Sequence, residues 1–256
     1  MAYKLFDLTG KVALITGGNG GIGLGMAKAL AEAGADIAIW GTKAAKNKAA
    51  KEKLAATGKR IETFEIDVTD EKAVDQAFDE TVKRLGRVDS CFANSGVSGA
   101  FESFAKASTE EWHRVLKVNL DGSFFTLRAA TRHMISRPGG GSIAAVASLA
   151  AISGAARGEH YAATKGGLIS MMKAMAVEFA RYGIRANAIL PGWIETEMTE
   201  KKFAWDKFRD AVLPRVPMRR WGKPEDFGGI AVYLASDASA FHTGDSFLID
   251  GGYWVF

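Results

Sequence analysis

Short, unbroken apolar runs that end in turn residues alternate along this chain with longer segments of helical period. That alternation constrains the fold more than any other feature. Val12-Ala13-Leu14-Ile15 is the first such run. A strand that is apolar at every position is buried on both faces, the condition of a parallel sheet covered by helices. The segment from Gly21 to Ala33 then carries Ile22, Met26 and Leu30 at helical spacing, with Gly34 as its stop. The pattern repeats. Further strands are predicted over 36–40, 61–66, 88–93, 141–147, 184–190 and 246–249. Helices are predicted over the Lys/Ala-rich stretch ending near Gly58 and from a Thr69 cap to Gly86. Others run from a Ser108–Glu111 capping box through Val115, Val118 and Phe125, from Tyr161 to Tyr182, and from Pro224 to Leu234. About seven strands alternating with helices predict an α/β fold: a single doubly wound parallel sheet with helices on both faces. No linker or repeat divides the chain, so one domain is expected over residues 1–256. Ligands on such sheets bind beyond the C-terminal ends of the strands, near the switch in strand order.

Composition narrows the function. At 48% hydrophobic and 24% charged residues, disorder as the main state is excluded. A single cysteine, Cys91, excludes an intrachain disulfide and a Cys-rich metal site, and its place in a strand reads as inert packing. His113, His133, His160 and His242 show no ligand spacing, so no metal is expected. The net charge of +4 is scattered, apart from the Lys-rich stretch Lys43 to Lys59, which reads as a solvated helix face. No basic helix, aromatic RNA-stacking motif or zinc-finger spacing accompanies it, so a nucleic-acid partner is not expected. Neither a secretory leader nor a membrane-length apolar run is read, so the expectation is a cytoplasmic protein with no membrane partner.

Two motifs carry chemistry. The first strand runs into Thr16-Gly17-Gly18-Asn19-Gly20-Gly21-Ile22-Gly23, five glycines in eight residues. Glycines there let the backbone turn tightly and approach a pyrophosphate, with the next helix N-terminus aimed at the anion. The second motif is Tyr161-Ala162-Ala163-Thr164-Lys165, which puts a phenol and an ammonium on one helix face. A nearby cation favours phenolate and would pull the phenol down toward working pH, suiting proton exchange with an alcohol or carbonyl oxygen. Ser148 ends the preceding strand at the ligand-binding edge, where its hydroxyl would hold the reacting oxygen.

Together these residues resemble the classical short-chain dehydrogenase/reductase family. The resemblance runs from Leu8-Thr9-Gly10-Lys11 to Asp250-Gly251-Gly252. Gly17, Asn19, Gly21, Ile22 and Gly23 fall in the family's cofactor loop. Asn94-Ser95-Gly96 matches its Asn-Ala-Gly, with Ser in place of Ala. Asn119, Ser148, Tyr161 and Lys165 fall where the family places its catalytic tetrad. Pro191, Gly192, Ile194 and Thr196 match the nicotinamide-side segment. The resemblance implies a Rossmann fold and an NAD(P)-dependent oxidoreductase that interconverts a secondary alcohol and a ketone. Tyr161 is then the general acid and base, Ser148 positions the substrate oxygen, and Lys165 assists Tyr161 and holds the nicotinamide ribose. Asn119 orders a water that links Lys165 to a proton relay. Asp67 and Val68 would meet the adenine, and Asn94 and Gly96 would line the cleft. A homotetramer is also implied, with the run Tyr253-Trp254-Val255-Phe256 at a subunit contact or folded over its own core.

The cofactor is read from Ile39-Trp40-Gly41-Thr42-Lys43. Members of the family that use NAD carry an acid where this chain has Gly41. Its absence favours NADP, with Thr42 and Lys43 to meet the 2′-phosphate and NAD as the alternative. Against this, no basic residue stands at Gly20. A Gly41→Asp change should shift preference toward NAD.

A substrate lid is implied over about 193–217, where Trp193, Phe203, Trp205 and Phe208 suggest bulky apolar or aromatic ketones. Arg157, Glu159 and His160 either line the mouth of the site or are exposed structural residues. The alternatives are a 3-oxoacyl-thioester reductase or sugar dehydrogenase of the same family, a dehydratase or epimerase on the same fold, and a cofactor-binding regulator.

Overall fold

The computed structural model describes residues 3–256. Seven strands form one all-parallel sheet: β1 (Val12–Thr16), β2 (Asp36–Gly41), β3 (Ile61–Glu65), β4 (Ser90–Ala93), β5 (Gly141–Val146), β6 (Ile184–Pro191) and β7 (Ser246–Ile249). Their spatial order is β3-β2-β1-β4-β5-β6-β7. The main helices are α1 (Gly21–Glu32), α2 (Ala44–Leu54), α3 (Glu71–Leu85), α4 (Thr109–Leu116), α5 (Gly122–Ile135) and α6 (Glu159–Phe179). Two short ones, α7 (Glu200–Phe203) and α8 (Asp206–Val212), precede α9 (Gly228–Ala235).

Strand periodicity explains why the apolar runs are unbroken. Successive side chains point to opposite faces, and here both faces are covered. Leu14, Trp40, Cys91 and Ile143 pack on one side with Val74 and Phe78 of α3, Leu127 and Met134 of α5, and Leu168 and Met172 of α6. Ala13, Ile15, Ile37 and Ile39 pack on the other with Met26 and Leu30 of α1, Leu54 of α2, and Ala231 and Leu234 of α9. The order reverses at β1, flanked by β2 on one side and β4 on the other. The C-terminal ends of β1 and β4 therefore open the crevice in which ligands of doubly wound sheets bind.

Several expected boundaries shift. The helix expected from Ser108 through Phe125 is broken by a π turn over Lys117–Asp121, between α4 and α5. Ser108 does cap α4, accepting from the Glu111 N–H at 3.2 Å, but Glu111 turns its carboxylate to Arg114 instead of closing the box. Asp70, not Thr69, caps α3, by accepting from the Ala73 N–H at 3.1 Å. The strand expected from Val88 begins at Ser90, because the Val88 N–H is taken by His133 Nε2 at 3.2 Å. Pro224 opens a 3-10 turn, Pro224–Phe227, ahead of α9. Gly183, at φ 69°, ends the turn after α6 in the left-handed conformation that glycine tolerates. No described helix is long and apolar enough to cross a membrane.

Candidate active site

The glycine-rich turn is stitched to the end of β4. The Thr16 hydroxyl accepts from the main-chain N–H groups of Asn94 (3.0 Å) and Ser95 (2.9 Å). The Asn94 amide donates to the carbonyls of Thr16 (2.9 Å) and Gly17 (3.3 Å). The turn is too tight for side chains. Gly17 has φ 64°, and a Cβ at Gly23 would stand 2.4 Å from the Gly17 carbonyl oxygen. Gly20 precedes α1 without a capping side chain, so no side chain covers the first-turn N–H groups of Gly21, Ile22 and Gly23. A turn with glycine at positions 17, 18, 20, 21 and 23, at a helix N-terminus with no capping side chain, fits the pyrophosphate of a dinucleotide.

The adenosine end is built on asparagines. Asn47, 3% exposed, donates its amide to the carbonyls of Gly41 (3.0 Å) and Phe64 (2.9 Å). It also accepts from Asn19 at 2.7 Å. Asn19 thus lies against Gly41, where a Cβ would stand 2.2 Å from its amide nitrogen and 2.7 Å from Asn47 Oδ1. Asn47 is missed by motif reading, although it is the one uncharged polar residue of α2. Thr42 and Lys43 project exposed beyond β2. Asp67 follows β3, its carboxylate accepting from the Thr69 N–H at 2.9 Å. Val68 is buried so close to Gly122 that a Cβ there would stand 2.6 Å from it.

Ser148, Tyr161 and Lys165 gather where β5 ends and α6 begins. Ser148 follows β5 and accepts from the Ala150 N–H at 3.1 Å, and its hydroxyl favours the ionised form of the Tyr161 phenol. One turn along α6 from Tyr161, Lys165 is 3% exposed and donates to the Val146 carbonyl at 2.7 Å. Burial pushes the Lys165 ammonium down to about 8. Its Nζ is 5.5 Å from the centre of the Tyr161 ring. Burial also raises the Tyr161 phenol, opposed by the Ser148 hydroxyl. The expectation of a phenol lowered by its lysine is therefore reversed in this structure: desolvation outweighs a cation that points to a backbone carbonyl.

Asn119 sits in the π turn, fully buried. Its amide donates to the Val97 carbonyl at 3.0 Å and accepts from the Val97 N–H at 2.8 Å. It also reaches Thr164 at 3.3 Å, tying the π turn to α6. A Cβ at Gly96 would stand 3.3 Å from Asn119 Oδ1 and 3.5 Å from Lys165 Nζ, so Gly96 brings the β4 loop against both residues.

On the far wall, β6 ends at Pro191 and the Gly192 N–H donates to the Ile249 carbonyl at 2.9 Å. Ile194 is buried and bridges to Gly222, and Thr196 lies over Gly21, its Cγ2 3.2 Å from where a Cβ would be. The aromatic residues of the following segment engage one another. Phe203 stacks on Trp221 at 4.1 Å and 7°, and Trp193 meets Phe208 edge-on at 5.0 Å. Only Trp205 of the four predicted aromatics is mostly exposed. A cavity of about 580 Å³ beside them is lined by Glu195, Thr196, Glu197, Glu200, Phe203 and Trp221.

At the mouth, Arg157 is exposed at φ 69°, its N–H donating to Glu159 Oε1 at 3.1 Å. His160 neither lines the mouth nor is exposed. It is fully buried, stacked on Phe101 at 4.1 Å and 3.6 Å from Glu111, because its side of α6 packs toward α4. Cys91 is enclosed in β4, and burial pushes its thiol up to about 12, which keeps it neutral.

The comparisons agree with this arrangement. A family model described as enoyl-(acyl carrier protein) reductase matches residues 17–254. The L-rhamnose 1-dehydrogenase (NAD(P)(+)) of Sphingomonas sp. (strain SKA58) is 36% identical over 249 residues, 97% of this chain and 98% of its own. The gluconate 5-dehydrogenase of Gluconobacter oxydans (strain 621H) is 36% identical over 253 residues, 98% of this chain and 97% of its own. The crystal structure of a gluconate 5-dehydrogenase from Burkholderia cenocepacia J2315 in complex with NADP and tartrate superposes with a TM-score of 0.94 at 36% identity, covering 100% of both chains. A family model over residues 17–254 and relatives 36% identical across nearly the whole of both chains have one conclusion: the chain belongs to the classical short-chain dehydrogenase/reductase family, the NAD(P)-dependent oxidoreductases that act on CH–OH groups.

Proposed function

We propose that this chain oxidises a CH–OH group of an uncharged, polyhydroxylated sugar, or reduces the corresponding carbonyl, with NADP preferred over NAD. The observation that carries the reading is the meeting of Ser148, Tyr161 and Lys165 beside a glycine-rich cradle. Tyr161 takes the hydroxyl proton in oxidation and returns it to the carbonyl oxygen in reduction. Ser148 holds that oxygen and, by hydrogen bonding to the phenol, favours its ionised form. Lys165 is cationic below about pH 8, so it adds to the same bias and offers a donor to the nicotinamide ribose. Asn119 fixes the loop after β4 through Val97 and orders the relay water beside Lys165. Hydride exchange would be supplied by a nicotinamide held in this cleft. Gly17, Asn19, Gly21, Ile22 and Gly23 hold the pyrophosphate side, while Asp67, Val68, Asn94 and Gly96 line the adenine side and the cleft. Pro191, Gly192, Ile194 and Thr196 close over the nicotinamide.

For the substrate, two of the related proteins are named for L-rhamnose and gluconate. The aromatic side chains that suggested bulky apolar ketones are largely occupied by one another. Glu195 and Glu200 on the cavity wall disfavour a carboxylate substrate. A panel of neutral sugars, sugar acids, aromatic ketones and a 3-oxoacyl thioester tests this. Neutral sugars should give the highest kcat/KM, and aromatic ketones outperforming every sugar would refute the substrate class. Residues 193–217 act as the lid. The exposed Phe124, Val177, Trp254 and Phe256 suit burial in a homotetramer, and the cytoplasm supplies the dinucleotide pool.

NADP is favoured because Gly41 places no carboxylate against the 2′-phosphate, with Thr42 and Lys43 free to meet it. The related Burkholderia enzyme was crystallised with NADP. Gly41→Asp should move preference toward NAD by like-charge repulsion, but it should also weaken both cofactors, because its Cβ collides with Asn19. Adding Asn19→Ala should relieve the nearest part of that collision, leaving Asn47 Oδ1 at 2.7 Å, so calorimetric titration should read the shift in the ratio of NAD to NADP affinity rather than in either affinity alone. An unchanged NADP preference in the double variant would place the 2′-phosphate elsewhere.

A further inference from the structure

One ion pair crosses the cofactor groove. Lys46, in the first turn of α2, holds both carboxylate oxygens of Glu197, 151 residues away on the lid segment. Thr196, the preceding residue, lies over Gly21 at the start of α1. The pair therefore reaches from the pyrophosphate turn to the helix that follows β2. The start of α2 has no acidic residue in its first turn and no capping side chain, and Lys43 precedes it. Lys46 and Lys43 together hold the Glu197 carboxyl below the usual carboxylate range. A helix N-terminus with two lysines attracts anions, and here a carboxylate of the same chain already holds one of those lysines. The adenosine 2′-phosphate must also reach this place, because Gly41, Thr42 and Lys43 lie at the end of β2 where the adenosine ribose of such sheets binds.

We propose that Glu197 is a specificity-determining lid residue that occupies the 2′-phosphate subsite. Its carboxylate holds Lys46 until the 2′-phosphate of NADP displaces it. NADP thereby frees the 193–217 lid from α2, whereas NAD, with a 2′-hydroxyl, leaves the latch closed. The inference rests on the NADP reading above and adds that cofactor identity is transmitted to the lid.

Direct binding separates the two. Calorimetry with NADP, NAD, 2′,5′-ADP and 5′-ADP should show Glu197→Gln tightening the two 2′-phosphorylated ligands, NADP and 2′,5′-ADP, by about twofold to fivefold, the worth of one exposed ion pair, with NAD and 5′-ADP unchanged. Lys46→Gln should weaken NADP and 2′,5′-ADP by about fivefold to tenfold and leave NAD unchanged. Trypsin should cut wild-type protein at Lys201, Lys202, Lys207 and Arg209 faster with 2′,5′-ADP than with 5′-ADP, a difference that Glu197→Gln should abolish. Equal effects of Glu197→Gln on all four ligands, or no effect on any, would overturn the latch while leaving NADP preference intact. If 2′,5′-ADP binds no tighter than 5′-ADP to either wild type or Glu197→Gln, the NADP reading itself falls and the latch with it.

Discussion

Tyr161→Phe is expected to lower turnover by at least about 10²-fold, the lower range for removing a general acid–base group, while dinucleotide affinity stays near the wild-type value. The change deletes one oxygen and keeps the ring, so the packing of α6 is preserved. Ser148 remains and can still hold a carbonyl oxygen, but a serine hydroxyl beside a ring without a phenol has no group to pass its proton to. The loss should appear in kcat rather than in the Kd for cofactor. Near-normal turnover in this variant would remove Tyr161 from the reaction.

Lys165→Met should abolish most activity and at the same time stabilise the fold. The ammonium is enclosed, and burial pushes it from an ordinary 10.5 down to about 8. At about 1.4 kcal/mol per pKa unit, the charged form is disfavoured by about 3 kcal/mol in the folded chain at neutral pH. Methionine fills a similar volume without that penalty, though it leaves the Val146 carbonyl without its partner, a cost of about 1 kcal/mol. A net gain of about 2 kcal/mol corresponds to a Tm higher by roughly 4–8 °C in a chain of this size. The pH dependence has a definite sign. Between about 8 and 10.5 the unfolded chain binds the proton and the folded chain does not, so wild-type stability rises with pH across that window. The advantage of Lys165→Met should therefore be greatest below pH 8 and shrink above it. Thermal melts at two pH values check this, and a variant less stable than wild type at pH 7 would contradict it.

The centre of the sheet was legible because runs such as Val12-Ala13-Leu14-Ile15 and Ile37-Ala38-Ile39-Trp40 are apolar at successive positions, and burial on both faces explains that pattern, whereas β3, Ile-Glu-Thr-Phe-Glu at the sheet edge, was legible only from its place in the alternation. The cradle was legible for a similar reason: glycines at positions 17 and 23 are demanded by contacts that a Cβ would violate. What sequence could not supply was the direction of polar side chains. Tyr161 and Lys165 share a helix face as spacing requires, yet the lysine turns to the Val146 carbonyl, and burial dominates both groups. The resemblance singled out Asn119, but not the π turn that commits its side chain to Val97. His160 follows the same lesson, since only the packing of α6 toward α4 decides that it faces Phe101. Asn47 and the Lys46–Glu197 pair join elements far apart in the chain, and no local pattern announces such contacts.

The central claim is that the Ser148–Tyr161–Lys165 edge performs cofactor-coupled chemistry on a CH–OH group. The most direct measurement follows nicotinamide absorbance as purified protein is mixed with NADP and a neutral sugar, in parallel with Tyr161→Phe. The account predicts reduction of NADP by wild type with at least one sugar, and a rate lower by at least about 10²-fold in the variant at equal cofactor occupancy. Dinucleotide binding without turnover across the whole panel of sugars, alcohols and ketones would contradict it.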